Sequence, residues 1–156
     1  MLLGQGDVEL KRVAGILLGF LCLSATMVAA DFIGTWKLNL AKSPGHDDME
    51  SQIMKIEQSG PNASRITIDV VFKSGQKQHE EINRIYDGKE HPTTGVGISK
   101  GGSEICQYLD ASTRKITQKR DGKVISEFTS TISAEGKVMT NHRTGSHEGT
   151  AVFDRQ

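Results

Sequence analysis

Alternation with a period of two runs through this chain from Asp31 to its end. Ile66, Ile68, Val70 and Phe72 alternate with Thr67, Asp69 and Val71, and Val124, Ser126, Phe128, Ser130 and Ile132 alternate with Ile125, Glu127, Thr129 and Thr131. Such alternation sends the two sets of side chains to opposite faces of a strand. The abundance of Thr, Ile and Val suits a pleated, half-buried surface, and no stretch carries a helical stripe. Turn signals punctuate the runs at Ser59-Gly60-Pro61-Asn62, Lys73-Ser74-Gly75, Asp87-Gly88, Asp110-Ala111-Ser112, Asp121-Gly122, Glu135-Gly136 and Gly145 to Gly149. Asp121-Gly122 is the clearest, because both central residues of a tight type I′ hairpin turn need positive φ.

This rhythm predicts strands near 33–40, 50–58, 64–73, 77–86, 104–109, 113–120, 123–133, 136–143 and 150–155, with a short extra strand at 89–92. Ala41 to Asp48 is expected to hold a turn or one helical turn. Pro92 to Ser103, rich in Gly and Thr, reads as a long loop. A sequential meander of this length leaves two sticky edges if it stays open, and closure removes them. The expected fold is therefore all-β: an antiparallel up-and-down meander closed or nearly closed into a barrel of about 8–10 strands. The first strand then pairs with the last or lies close to it.

The first 30 residues differ in composition. Lys11 and Arg12 precede an apolar run, Val13-Ala-Gly-Ile-Leu-Leu-Gly-Phe-Leu-Cys-Leu, that ends in small residues up to Ala30. A basic flank, a greasy core and small residues at Val28 and Ala30 are the parts of a cleavable secretory signal peptide. The expected division is thus a signal peptide over 1–30 and one domain over 31–156, periplasmic or secreted, with no membrane insertion after cleavage. A retained anchor is the alternative, since the run from Val13 to Ala30 lies at the lower edge of what spans a bilayer. Cleavage removes Cys22 and leaves Cys106 as the one cysteine, so no intramolecular disulfide is expected. The chain has 19 Lys plus Arg against 19 Asp plus Glu. Without a basic tract, nucleic acid is not an expected partner.

Phe32-Ile33-Gly34-Thr35-Trp36-Lys37-Leu38 resembles the Gly-x-Trp opening strand of calycins, the superfamily of lipocalins and fatty-acid-binding proteins. Val152-Phe153-Asp154-Arg155 is similar to their last strand. Gly34 to Pro44, Tyr86-Asp-Gly-Lys89 and Lys119-Arg-Asp-Gly-Lys-Val124 resemble a group of small exported bacterial proteins with a lipocalin-like domain. The resemblance implies a lipocalin-like barrel in which Gly34, Trp36 and a late arginine, Arg155 or Arg143, form a structural plug. Burying the tryptophan contributes at most ~4–6 kcal/mol by area, and an arginine across its face adds ~0.5–2 kcal/mol. Fatty-acid-binding proteins carry Arg-x-Tyr on the last strand to hold a carboxylate, and the matching positions here are Ala151 and Phe153. That clamp is missing, and Ala41 to Asp48 is too short for their two-helix lid, so fatty-acid binding does not come with the resemblance.

The alternation nominates interior polar residues. Thr113, Lys115, Thr117 and Lys119 look like a solvated outer face, which leaves Arg114 and Gln118 facing inward with Ile116. A buried arginine needs a carboxylate partner or an anionic ligand; an edge strand with Arg114 in water is the other reading. Phe128 shares its face with Ser126 and Ser130, and His142 shares one with Val138 and Thr140 and would point inward if the alternation holds; a hydrogen-bonded or exposed histidine is the other reading. Arg114, Gln118, Phe128 and His142 are thus the candidate ligand-binding residues.

Other features point away from chemistry. Cys106 has no neighbour that would lower its pKa. Gly95 to Ser103 lacks phosphate-loop spacing, and His46-Asp47-Asp48 reads as a polar turn rather than a metal site. His142 and His147 flank a Gly/Ser turn, and Asn62-Ala63-Ser64 is a glycosylation sequon only in a eukaryotic secretory pathway. No catalytic residue, cofactor or metal is expected. The expected function is non-catalytic binding of a small apolar or amphipathic ligand inside the barrel. The alternative is a packed barrel without a cavity that works through protein contacts in the cell envelope.

Overall fold

The computed structural model describes residues 31–146 and 148–156. The expected signal peptide and His147 lie outside the described residues. Eleven strands follow in chain order: β1 Gly34–Leu38, β2 Met49–Gly60, β3 Ala63–Phe72, β4 Lys77–Ile85, β5 Glu90–Pro92, β6 Thr94–Val96, β7 Gly102–Tyr108, β8 Thr113–Arg120, β9 Lys123–Ile132, β10 Val138–Gly145 and β11 Gly149–Arg155. One 3-10 turn, Leu40–Lys42, sits in the link between β1 and β2, where a turn is expected; the Asn39 side chain accepts from the Lys42 N–H and caps it.

All strands join one antiparallel sheet in the order β5-β7-β8-β9-β10-β11-β1-β2-β3-β4-β6. The first strand pairs with the last, with Trp36 opposite Arg155 and Leu38 opposite Phe153. At the β8–β9 hairpin Asp121 and Gly122 both take positive φ, 51° and 74°, as a type I′ turn requires.

The structure departs from the sequence reading at Pro92 to Ser103, read as a loop. This region contains β6, and it closes the barrel. Residues 90–96 run between β7 and β4 and change partner midway: Glu90–Pro92 pair with β7, and past Thr93 the next three residues pair with β4. Gly95 makes this possible. A Cβ there would lie 1.7 Å from the Glu81 carbonyl oxygen, and its φ is 154°. A short glycine-containing strand gives almost no periodic signal, so a local reading sees only a loop.

The main core lies toward one end of the barrel and is built on Phe32, Trp36, Leu38, Met54, Ile56, Ile66, Ile82, Ile132, Met139 and Phe153. Trp36 is fully buried, and its indole N–H donates to the Phe32 carbonyl at 3.0 Å. The Arg155 guanidinium carbon lies 4.3 Å from the centre of the Trp36 ring. The same guanidinium donates to the carbonyls of Gly136, Ile33 and Asp31, so it ties β11, the β9–β10 turn and the start of the domain together. Gly34 sits beneath it, where a Cβ would come within 2.7 Å of Arg155 Nη1. Arg143 packs over Phe128 instead, at 4.8 Å.

Candidate functional site: a cavity inside the barrel

Above the plug the barrel encloses a cavity of about 780 Å³, within the usual range for small-molecule sites. Its rim comes from the β1–β2 link (Pro44, Gly45, His46), Gly97 to Ser99, the β8–β9 hairpin and the β10–β11 turn. These connections share one end of the barrel, and Trp36 closes the other.

The registers order the inner wall of β8, β9, β10 and β11 into rows. The lowest row is apolar: Ile132 opposite Met139, and Met139 opposite Phe153. The next holds Arg114, Ser130, Asn141 and Ala151, and above it stand Ile116, Phe128 and Arg143. Gln118 and Ser126 form the top row, where the Ser126 hydroxyl donates to Gln118 Oε1 at 2.9 Å. The facing wall comes from β2, β3 and β4, where Met54, Ile68 and Ile82 share the cavity with Gln52, Glu80 and Arg84.

Arg114 is 1% exposed. Its guanidinium lies 4.3 Å from the centre of the Phe32 ring. Nη1 donates to the Tyr86 hydroxyl at 2.9 Å, and Nη2 has only the Met139 sulfur at 4.0 Å. Nε has no partner. Among the described residues Arg114 joins no ion pair, in contrast to Arg84, which donates from Nε to both Glu104 oxygens at 3.3 and 3.2 Å. The two arginines respond in opposite directions. Burial lowers the Arg114 pKa. Burial acts the same way on Arg84, but the Glu104 carboxylate together with Tyr86 and Cys106 outweighs it and the net direction is upward.

Two further residues that line this cavity hold buried polar atoms without partners: Asn141 at Oδ1 and Arg143 at Nε. Buried polar groups without partners are rare in folded proteins. Three of them belong to residues that line one cavity here.

Of the four nominated residues, Arg114, Gln118 and Phe128 line the cavity. His142 does not, which corrects the sequence reading. It is exposed on the outer face, with Nδ1 3.1 Å from the Thr150 hydroxyl. Val138 suggested the wrong phase for β10; Met139 is the fully buried residue of that strand, and with it Asn141 and Arg143 turn inward.

Sequence reasoning also missed Arg84, Tyr86, Glu104, Asn141 and Arg143. A usable signal existed for Arg84. Ile82 and Tyr86 bracket Arg84 at a spacing of two, so burying both aromatic and aliphatic neighbours carries Arg84 inside with them. Cys106 is buried, and burial pushes its thiol pKa up to about 12, which leaves it protonated and unreactive at neutral pH. Among the described residues no group of three or more His, Cys, Asp and Glu side chains is placed to hold a metal ion.

Strand order, closure and the plug define a calycin-type β-barrel. Solved structures agree at the level of fold. The chain is similar to the wild-type fluorescent protein UnaG, with a TM-score of 0.59 and 16% identity over 80% of this chain and 97% of that one. A UnaG point mutant matches with the same score and identity over 96% of its length. A second mutant matches at 0.55 and 20% identity over 95%. No protein family and no curated protein matches the chain.

Proposed function

We propose that this chain is an exported, non-catalytic binding protein that holds a small, partly apolar ligand inside its barrel. The cavity of about 780 Å³ carries this reading. Its Met54, Ile68, Ile82 and Phe128 side chains offer apolar contact, and Gln52, Gln118 and Asn141 offer hydrogen-bonding groups. The alternative of a packed barrel has no use for such a void. The barrel's likeness to a fluorescent protein fits an interior that takes up a small molecule. Export rests on the composition of residues 1–30; the exported protein is expected to begin at Asp31.

A non-catalytic role is supported by the chemistry of the buried wall. On the inner wall of β8 to β11 below the rim the titratable groups are Arg114 and Arg143, which hold their protons throughout the physiological range and cannot relay them; the cavity's Glu80 lies on the facing wall, and His46 and Glu148 lie at the rim. The test is a thermal-shift screen of the domain 31–156 against lipids, sterols, haem and aromatic compounds. A ligand at 100 times its Kd raises the melting temperature by about 10 °C. A flat profile across all four classes refutes the binding role.

A further inference from the structure

One cationic side chain of the inner wall stands beside a gap. The third row up reads Ile116, Phe128, Arg143 and Gly149 across β8 to β11. The Arg143 guanidinium lies over the Phe128 ring, 4.8 Å from its centre, so Phe128 covers one face of it. The row position on the other side is Gly149, and a Cβ built there would meet nothing within 4 Å. Below the gap stands Ala151, the smallest side chain of the row it shares with Arg114, Ser130 and Asn141. Beyond it β1 has already ended at Leu38, and the link that follows takes its place. There the Ser43 hydroxyl accepts from the Val152 N–H at 2.9 Å, and Pro44 and Gly45 reach the cavity. Phe128, Arg143, Gly149 and Ala151 all line the cavity as well. Together they leave a slot in its wall with a guanidinium along one side.

We propose that Arg143 and the gap at Gly149 form an aromatic subsite, and that the ligand carries an electron-rich fused ring stacked on the guanidinium opposite Phe128. This rests on the cavity being a binding site. A guanidinium is planar and stacks on aromatic faces, and Arg143 already uses one face in this way. The Nε edge is buried and offers a ligand nothing; the face beside Gly149 is what the slot leaves open. Burial lowers the Arg143 pKa, and among the described residues no carboxylate acts against it. The charge is therefore incompletely hydrated, and a cation–π contact strengthens as the cation sheds water. The remainder of the ligand extends across the cavity toward Met54 and Ile68.

The slot selects for a ring over an alkyl group of the same size. A saturated group strips water from the guanidinium and returns no electrostatic contact, whereas an aromatic face carries negative potential. The gap can also be filled without strain. The φ of Gly149 lies outside the left-handed region and its Cβ position is empty, so Gly149→Val is accommodated and its methyl groups take the place of the ring.

The experiment is calorimetric titration of the protein with naphthalenemethanol and its saturated analogue decahydronaphthalenemethanol, run on the parent, Arg143→Met and Gly149→Val. The two compounds share a skeleton and a hydroxyl and differ in the π system. The quantity read is the ratio of aromatic to saturated affinity in each protein, so the unequal hydrophobicity of the two compounds cancels between variants. Arg143→Met keeps the length of the side chain and removes the cation; the ratio is expected to fall about 3–30-fold from its parent value, the span of a cation–π contact from exposed to desolvated. Gly149→Val is expected to lower the ratio in the same direction while keeping the ligand-free melting temperature of the parent, and it carries the test if Arg143→Met does not fold. The same ratio in parent and variants, with both compounds bound, overturns the subsite and leaves the cavity reading standing. Failure of both compounds to bind the parent overturns the subsite and counts against the cavity reading as well.

Discussion

Single residues in this barrel are constrained by arginines more than by the apolar core. Gly34 is the clearest case. Its φ of 139° and the 2.7 Å approach of Arg155 Nη1 leave no place for a side chain. Gly34→Ala is expected to destabilise the domain by about 1–3 kcal/mol through backbone strain and displacement of the arginine. Chemical denaturation measures this, and a change below 0.5 kcal/mol would sink the claim that the close approach matters. The sequence motif made Gly34, Trp36 and a late arginine legible, because few sequence patterns put a tryptophan two residues after a glycine at the start of a meander. It did not choose between Arg155 and Arg143. That choice depends on register: Arg155 lies opposite Trp36, while Arg143 lies opposite Phe128, and each packs on the aromatic ring its strand pairing supplies.

Among the elements, the seam between β4 and β7 is the one place where the sheet needs a device other than a backbone ladder. Residues 90–96 fill it by pairing first with one side and then with the other. The Arg84–Glu104 ion pair joins β4 to β7 directly, with side chains 11% and 3% exposed. Removing one partner of such a pair strands the other charge. Glu104→Gln is expected to cost about 3–5 kcal/mol, and the double variant Arg84→Met with Glu104→Leu is expected to recover most of it. Urea denaturation of the three proteins decides this, and the same loss in single and double variants would show that the seam relies on the carboxylate itself. Long strands were legible element by element, and 113–120 agrees with the structure end to end. The seam was not, because a three-residue strand has no period to detect and its partners are distant in sequence. The phase of β10 failed for a related reason: Val138 and Met139 are both apolar, and only packing against Phe153 and Ile132 decides which one is inside.

Over the whole molecule, charge is arranged on the outside as cross-strand and turn contacts. Arg65, Lys115 and Lys119 hold Glu81, Glu127 and Glu90 below the ordinary carboxylate pKa, and turn N–H groups do the same for Asp87 and Asp110. The stability these groups add is fully present above their ordinary values, 3.8 and 4.5, and is lost as pH falls through the depressed ones. His79 works the other way. Its hydrogen bond to Asp69 raises its pKa above 6.5, so its contribution is complete below 6.5 and is lost as pH rises through the raised value. The melting temperature is expected to be highest between about pH 4.5 and 6.5, to fall steeply on the acid side and to decline slightly on the alkaline side. A melting temperature that climbs steadily up to pH 8 would contradict this balance. The sequence by itself determined that the chain is an antiparallel meander, where its turns lie and which residues alternate, because period and turn chemistry are local properties. Tertiary structure decided which of the two faces is inside, how the barrel closes, and that Arg114 is buried without a carboxylate beside it. Those outcomes depend on partners far along the chain, such as Tyr86, Phe32 and Met139 around Arg114, and no local pattern encodes which distant side chain arrives to neutralise a charge or fails to.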